Sequence, residues 1–139
     1  MRTIIGLAVL LLAGMAGAAA AQGTGGAARD ALPLRRGFYL PEGTPCARAS
    51  NAELLLFTGR GFNVSGAECR ITRVRRQGEA YDIAETCRDI RSGDRIDGQS
   101  RILPGGPEAY TLVSDGSRQR YRLCPQAQLP APWRNNRIP

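Results

Sequence analysis

The sequence predicts an all-β fold: a small antiparallel meander, barrel-like, with about seven short strands and two disulfides. Three observations carry this expectation. From Gly37 onward, runs of β-branched, aromatic and aliphatic residues recur, each closed by Gly, Pro, Asn or Asp turn signals spaced roughly eight to twelve residues apart. The four cysteines are separated by 23, 18 and 37 positions, and the chain contains no histidine; zinc sites need closer pairs, so two disulfides are expected. The chain is of one-domain size, and closing a small sheet on itself removes exposed strand edges.

The first segment, residues 1–21, reads as a signal peptide. Met1 and Arg2 give a short positive start, residues 4–12 are an apolar run too short to span a bilayer, and residues 18–21 are alanines at cleavage-site spacing. Cleavage near Ala21-Gln22 leaves 118 residues and a periplasmic or secreted protein without a transmembrane anchor. Residues 22–36 are Gly/Ala-rich and aperiodic at first, and are expected to form a flexible leader. The run Gly23-Thr24-Gly25-Gly26-Ala27-Ala28 matches the dinucleotide fingerprint formally, but the strand that must precede it is replaced by a signal peptide.

The β domain is expected over residues 37–124. "GFYL" is a strand ended by Pro41, and "ELLLF" (53–57) is a second. Ser50 and Glu53 have capping-box spacing, but Gly59 and Gly61 leave room for barely two helical turns, so a strand is preferred there. "TGRG" turns the chain into "FNV". Residues 68–76 and 80–89 follow, joined by Gln77-Gly78-Glu79; then "RSGD", a strand over 95–103, "PGGP", and a strand over 108–114. Asp115-Gly116 is a strong hairpin turn leading into "SRQRYRLC". Residues 125–139 hold four prolines and are expected to be an extended, proline-rich surface tail.

Alternation assigns faces. Tyr121 and Leu123 point inward, which places Arg118, Arg120 and Arg122 on the solvent side. Tyr81, Ile83 and Cys87 share one face, opposite Asp82, Ala84 and Thr86. Cys69 and Ile71 share a face that Val74 leaves, which calls for a bulge near Thr72 or Arg73. A three-residue loop at 77–79 sets Arg76 opposite Ala80 and therefore Cys69 opposite Cys87. Cys46 follows the first strand and Cys124 ends the last, so the second pair is Cys46–Cys124. Loop-closure entropy assigns about 3 kcal/mol to the short link and about 4.5 kcal/mol to the long one, the weight of structural staples.

Catalysis finds little material. With neither histidine nor lysine and with all cysteines paired, Ser/His/Asp and Cys/His arrangements are excluded. Asp82, Glu85, Asp89, Asp94 and Asp97 read as charge balance for Arg88, Arg91 and Arg95 on a solvated rim. No catalytic residue, metal or cofactor is expected. The net charge of +7, or +6 once Arg2 is removed, is carried by arginine alone. Arg70, Arg73, Arg75 and Arg76 lie on one hairpin arm, Arg118, Arg120 and Arg122 on the last strand, and Arg134 and Arg137 in the tail. Such a chain attracts anionic surfaces, although the same residues also serve plain solubility. Tyr121 alone interleaves with the arginines, which argues against nucleic acid. Trp133, the single tryptophan, either packs back on the barrel or anchors a partner. Asn63-Val64-Ser65 matches a glycosylation sequon.

Ser65-Gly66-Ala67-Glu68-Cys69 resembles one motif of the periplasmic inhibitors of c-type lysozyme, small exported antiparallel β-barrels tied by cystine. The resemblance implies that Ser65 and Gly66 lie on a loop that enters a partner's cleft. Cys69 stands where that family has tyrosine, and the family's Lys-Gly pair has no counterpart. More broadly, the chain resembles small exported cystine-containing β-proteins of Gram-negative bacteria. The function expected is a non-enzymatic binding or inhibitor module acting on an envelope protein. An arginine-rich binder of lipopolysaccharide or acidic glycan at the envelope surface is the alternative, and a carboxylate-based hydrolase comes third.

Overall fold

A computed structural model describes residues 29–139. The expected signal peptide, the cleavage site and the glycine run of the leader lie outside the described residues. Strand β1 spans Gly37–Pro41, β2 Leu55–Phe57, β3 Phe62–Asn63, β4 Ala67–Gln77, β5 Ala80–Asp89, β6 Arg95–Pro104, β7 Ala109–Ser114 and β8 Ser117–Leu123. They form one antiparallel sheet of eight strands in the order β3-β2-β1-β8-β7-β6-β5-β4. Apart from β3 and β4, which end the order on either side, every strand pairs with its neighbour in sequence, and β8 returns to β1 with Tyr39 opposite Leu123. The result is the expected meander, curled into a nearly closed barrel; the additional strand is the two-residue β3.

Closure is completed at the β3–β4 seam by separate contacts. Val64 and Ala67 form a bridge, the Ile71 N–H donates to the Arg60 carbonyl at 2.8 Å, and the Cys69 N–H donates to Asn63 Oδ1 at 3.3 Å. Gly61 makes this approach possible, because a Cβ there would overlap the Cys69 carbonyl. Beyond Ile71, β4 runs on to Gln77 with no strand on its outer side among the described residues.

Alternation along the strands sends one set of side chains inside. Tyr39, Phe57, Phe62, Ile83, Ile102 and Tyr110 form the interior core, with Ile71, Leu112, Tyr121 and Leu123 packed against it. Tyr110 stacks on Tyr121 with ring centroids 5.2 Å apart and meets Tyr39 at 5.3 Å. A second core lies outside the barrel, where Phe38, Leu40 and Leu54 are covered by Cys46, Ala49, Cys124 and Leu129, with Trp133 and Ile138 alongside.

Two expectations about the ends of the domain are corrected. The leader was expected to be flexible to residue 36, yet Leu32 and Leu34 are buried in the interior core. Their segment crosses one mouth of the barrel, held by Ala31 N–H to the Gly59 carbonyl (2.7 Å) and Arg35 N–H to the Pro107 carbonyl (2.7 Å). The Tyr39 hydroxyl donates to the Arg35 carbonyl at 2.7 Å, and burial pushes its pKa up to about 12. The tail was expected to be extended, but it folds into 3-10 turns at Gln126–Gln128 and Trp133–Asn135 that seal the outer core. The Gln126 side-chain amide donates to the Trp133 carbonyl at 2.9 Å, so Trp133 packs back on the barrel.

Both disulfides are those expected, Cys46–Cys124 and Cys69–Cys87. The register that brings the second pair together differs from expectation in the turn alone, and the expected bulge is present. The β4–β5 turn is one residue shorter than expected, with Gln77 opposite Ala80, and a bulge between Ile71 and Arg73 then restores Cys69 to its place opposite Cys87.

Candidate functional site

The outward side chains of β4 to β8 make one arginine-bearing surface. Register fixes its membership. Arg75, Asp82, Arg101, Val113 and Arg118 lie in one row across five strands, and Arg73, Ala84 and Gln99 lie in the next. Arg70 pairs with Thr86, which faces Asp97, and Glu68 pairs with Arg88, which faces Arg95. Arg120 and Arg122 continue the surface along β8. Nine arginines thus share this face with the carboxylates Glu68, Asp82 and Asp97.

Their partners separate them. Arg101 forms a two-pronged contact with Asp82, Nε to Oδ1 at 2.6 Å and Nη2 to Oδ2 at 3.0 Å. That bond, with a smaller contribution from the nearby Arg75, holds the Asp82 carboxyl below the usual range. Arg120 pairs with Glu42 at 3.2 Å. Arg122 does not face solvent as expected. Its Nη1 donates to Cys46 Sγ at 3.2 Å and its Nη2 to the Thr44 carbonyl at 2.9 Å, so it clamps the loop over the long disulfide. Arg118 stays exposed on the outer face. On β4, Arg73 and Arg75 share the outer face as expected, but Arg76 turns to the other side. It lies 5.9 Å from the Tyr81 ring centroid and donates from Nε to the Gly78 carbonyl at 3.0 Å. The three hairpin arginines therefore do not form one patch.

Concavities lie on this surface, among them one of about 500 Å³ lined by Thr72, Arg73, Thr86, Asp97 and Gln99 among others, and two more. One, of about 400 Å³, is lined by Arg73, Arg75, Asp82, Gln99, Arg101 and Asp115 among others. The larger, of about 630 Å³, opens at the β3–β4 seam between Arg60, Arg70, Arg88 and Arg95, with Thr58, Asn63, Thr72 and Thr86 supplying neutral polar groups and Glu68 and Asp97 the carboxylates. None of those four arginines forms an ion pair within 4.0 Å among the described residues. Sequence reasoning set Arg88 and Arg95 aside as charge balance and gave Arg60 no role. Counting outward from the "RSGD" turn would have set Arg88 opposite Arg95. Arg60 joins them only through the seam, which no local pattern announces.

The acidic cluster disperses. The Asp89 carboxylate accepts from the Arg91 and Ser92 N–H groups at 2.7 and 2.8 Å and orders the β5–β6 turn; these bonds hold its pKa low. Asp94 accepts from the Ser92 hydroxyl at 2.8 Å, and Asp97 from the Thr86 hydroxyl at 2.6 Å. Glu85 instead points into the barrel, on the face of Tyr81, Ile83 and Cys87. Desolvation raises its pKa, and its Oε2 is buried without a hydrogen-bond partner, as is Ser100 Oγ. Its carboxylate lies close to Cys69 and Cys87, but those sulfurs are joined to each other and are not thiolate ligands.

Ser65 and Gly66 are exposed at the tight turn between β3 and β4. The Asn51 amide donates to Ser65 Oγ at 2.6 Å, and the Ile90 N–H donates to the Gly66 carbonyl at 2.9 Å. Compared with protein-family models, curated proteins and solved structures, the chain matches none of them.

Proposed function

We propose that this is an exported, non-enzymatic binding module whose outward β4–β8 face engages the anionic surface of the cell envelope. The observation that carries this reading is the outer face itself, on which eight solvent-facing arginines meet the carboxylates Glu68, Asp82, Asp97 and, beside Arg120, Glu42. Guanidinium groups recognise phosphate and carboxylate in a bidentate manner and are more weakly hydrated than ammonium groups, so an array of them suits polyanions. Two cystines fit an oxidising compartment. Among the described residues no helix is long and apolar enough to cross a membrane. The absence of histidine and lysine and the pairing of every cysteine support binding over catalysis.

The test is binding of the domain to vesicles containing lipopolysaccharide or an anionic phospholipid, against neutral vesicles, at two salt concentrations. Binding confined to the anionic vesicles and falling steeply with salt is expected, because exposed charges are screened beyond about 8 Å at physiological ionic strength. Equal binding to neutral vesicles would overturn the reading.

A second reading, inhibition of an envelope enzyme, is favoured by the Ser65-Gly66 turn, which is exposed yet held by Asn51 and by the Ile90 N–H. A turn ordered before contact loses less entropy on binding. Inhibition of a c-type lysozyme that is abolished by Ser65→Arg would support this reading, and no inhibition at any concentration would dismiss it.

A further inference from the structure

We infer that the groove at the β3–β4 seam is the ligand site of this face, and that it takes an anionic saccharide, a sugar chain carrying phosphate or carboxylate groups. This inference rests on the envelope-binding reading above and narrows it. Arg88 stands directly opposite Arg95 on β6, a like-charged pair of a kind that destabilises a sheet. Glu68 stands opposite Arg88 on the other side, yet no ion pair forms. Across the same groove lie Arg70 on β4 and Arg60 on the loop before β3. Elsewhere on the face, Arg101 and Arg120 are neutralised by Asp82 and Glu42. Arg73, Arg75 and Arg118 also lack an ion pair among the described residues, but the seam groove gathers four such arginines in one concavity. An anion placed among these four arginines would relieve the repulsion between Arg88 and Arg95.

The rest of the lining selects the chemistry. Thr58, Thr72 and Thr86 donate their hydroxyl protons to the Gly61 carbonyl, the Ala84 carbonyl and the Asp97 carboxylate, and so present oxygen lone pairs to the groove. Asn63 keeps its amide N–H groups, and Glu68 and Asp97 add acceptors, a set that suits sugar hydroxyls. Among the described residues no aromatic ring lines the groove, so they offer no platform on which a nucleobase stacks. No aliphatic side chain among the described residues lines it either, so they form no slot for an acyl chain. The ligand is therefore the charged saccharide part of an envelope molecule, whether it comes from a lipid headgroup or from a free acidic glycan.

The experiment measures affinity for a uronic-acid oligosaccharide, a sugar bisphosphate and a neutral oligosaccharide of matching length, together with the anionic vesicles. It uses the wild type, the Arg88→Ser/Arg95→Ser double variant, Arg70→Ser and, as control, Arg48→Ser. The expected result is binding of a charged saccharide and not of the neutral one. Affinity should fall at least tenfold in the double variant and severalfold in Arg70→Ser, with Arg48→Ser, an exposed residue of the turn after β1, within twofold of wild type. No variant should melt lower than wild type, and the double variant should melt slightly higher as the Arg88–Arg95 repulsion is removed. Preference for the bisphosphate points to a phosphorylated headgroup, and preference for the uronate to an acidic glycan. Vesicle binding that survives in the double variant, with no charged saccharide bound, overturns the groove assignment and leaves the broader reading standing. Failure of the wild type to bind either the charged saccharides or the anionic vesicles overturns both.

Discussion

Glu85 stands directly opposite Gly98 across the β5–β6 pair, and its carboxylate enters the barrel rather than the solvent. The missing side chain at Gly98 leaves space beside it, for a Cβ there would touch Glu85 Cγ only at 3.9 Å. The opposite pairing is thus sterically comfortable and electrostatically poor: Oε2 is buried without a donor, and Ser100 Oγ, two residues along β6, is in the same condition.

Replacing Glu85 by Gln is therefore expected to stabilise the protein at neutral pH by about 1 kcal/mol, since an unsatisfied buried charge is costlier than an unsatisfied neutral amide. The sign with pH follows from the raised pKa. Between the ordinary carboxylate value and the raised folded value, the folded state binds more protons than the unfolded state. Stability due to this group is therefore lost as pH rises through that window. Asp30, Asp82 and Asp89, whose values are lowered, act in the opposite sense and lose stability as pH falls. The difference between Glu85→Gln and wild type isolates Glu85. In denaturant melts it should be largest near neutrality and vanish below about pH 4.

The strap across the barrel mouth gives the second prediction. Leu34 is 4% exposed and Leu32 3%, both within the interior core. Leu34→Ala should cost about 2–4 kcal/mol in a urea denaturation series, the range of a buried leucine whose cavity does not fully collapse. Deleting residues 29–36 should destabilise the barrel further. A deletion without effect on the transition midpoint would mean that the segment only lies on the barrel.

The reach of local sequence reasoning is visible in these same residues. Strands β4 to β8 were legible because alternation and turn chemistry are local, and the bulge near Thr72 was signalled by Val74 falling on the wrong face. The Cys69–Cys87 pairing came out correctly although the turn was counted one residue too long, because the bulge restores that residue. Glu85 was half legible: it alternates with Ile83 and Cys87, but its charge argued for solvent. Leu32 and Leu34 were hidden in an aperiodic segment whose burial depends on the distant Gly59 and Pro107 carbonyls. Arg122 was misplaced for a related reason. Alternation gives its direction, but only the fold brings the loop of Thr44 and Cys46 across it. The seam groove needs tertiary closure, and no single segment of the chain carries it.

The two disulfides should differ in weight. Cys46–Cys124 spans 78 positions and ties the outer core to the last strand, whereas Cys69–Cys87 spans 18 within one hairpin. On chain entropy the long link contributes about 4.5 kcal/mol and the short one about 3 kcal/mol. Cys46→Ala/Cys124→Ala should therefore lower the unfolding midpoint more than Cys69→Ala/Cys87→Ala, and it should also release the Arg122 clamp. Non-reducing peptide mapping checks the pairing, and a peptide joining Cys46 to Cys69 would contradict it.

The last prediction concerns the free part of β4. Past Ile71 this strand has no partner on its outer side among the described residues, and its N–H and C=O groups form a template for another strand. Arg73, Arg75 and Arg76 stand on that stretch, at positions that a sheet by itself would fill with β-branched residues. Charges on an edge discourage a second copy from adding to it, because two copies would bring their arginines together. This task is separate from holding the seam-groove saccharide, and it accounts for Arg76 facing away from its neighbours, since edge protection does not require a common face. Replacing Arg73, Arg75 and Arg76 by Thr should leave the melting temperature nearly unchanged, as exposed charges contribute little to folding. It should instead produce concentration-dependent association, read by light scattering or sedimentation, and leave affinity for the seam-groove saccharide close to wild type. A monomeric triple variant with much weakened saccharide binding would reverse the assignment and make these arginines part of the ligand site.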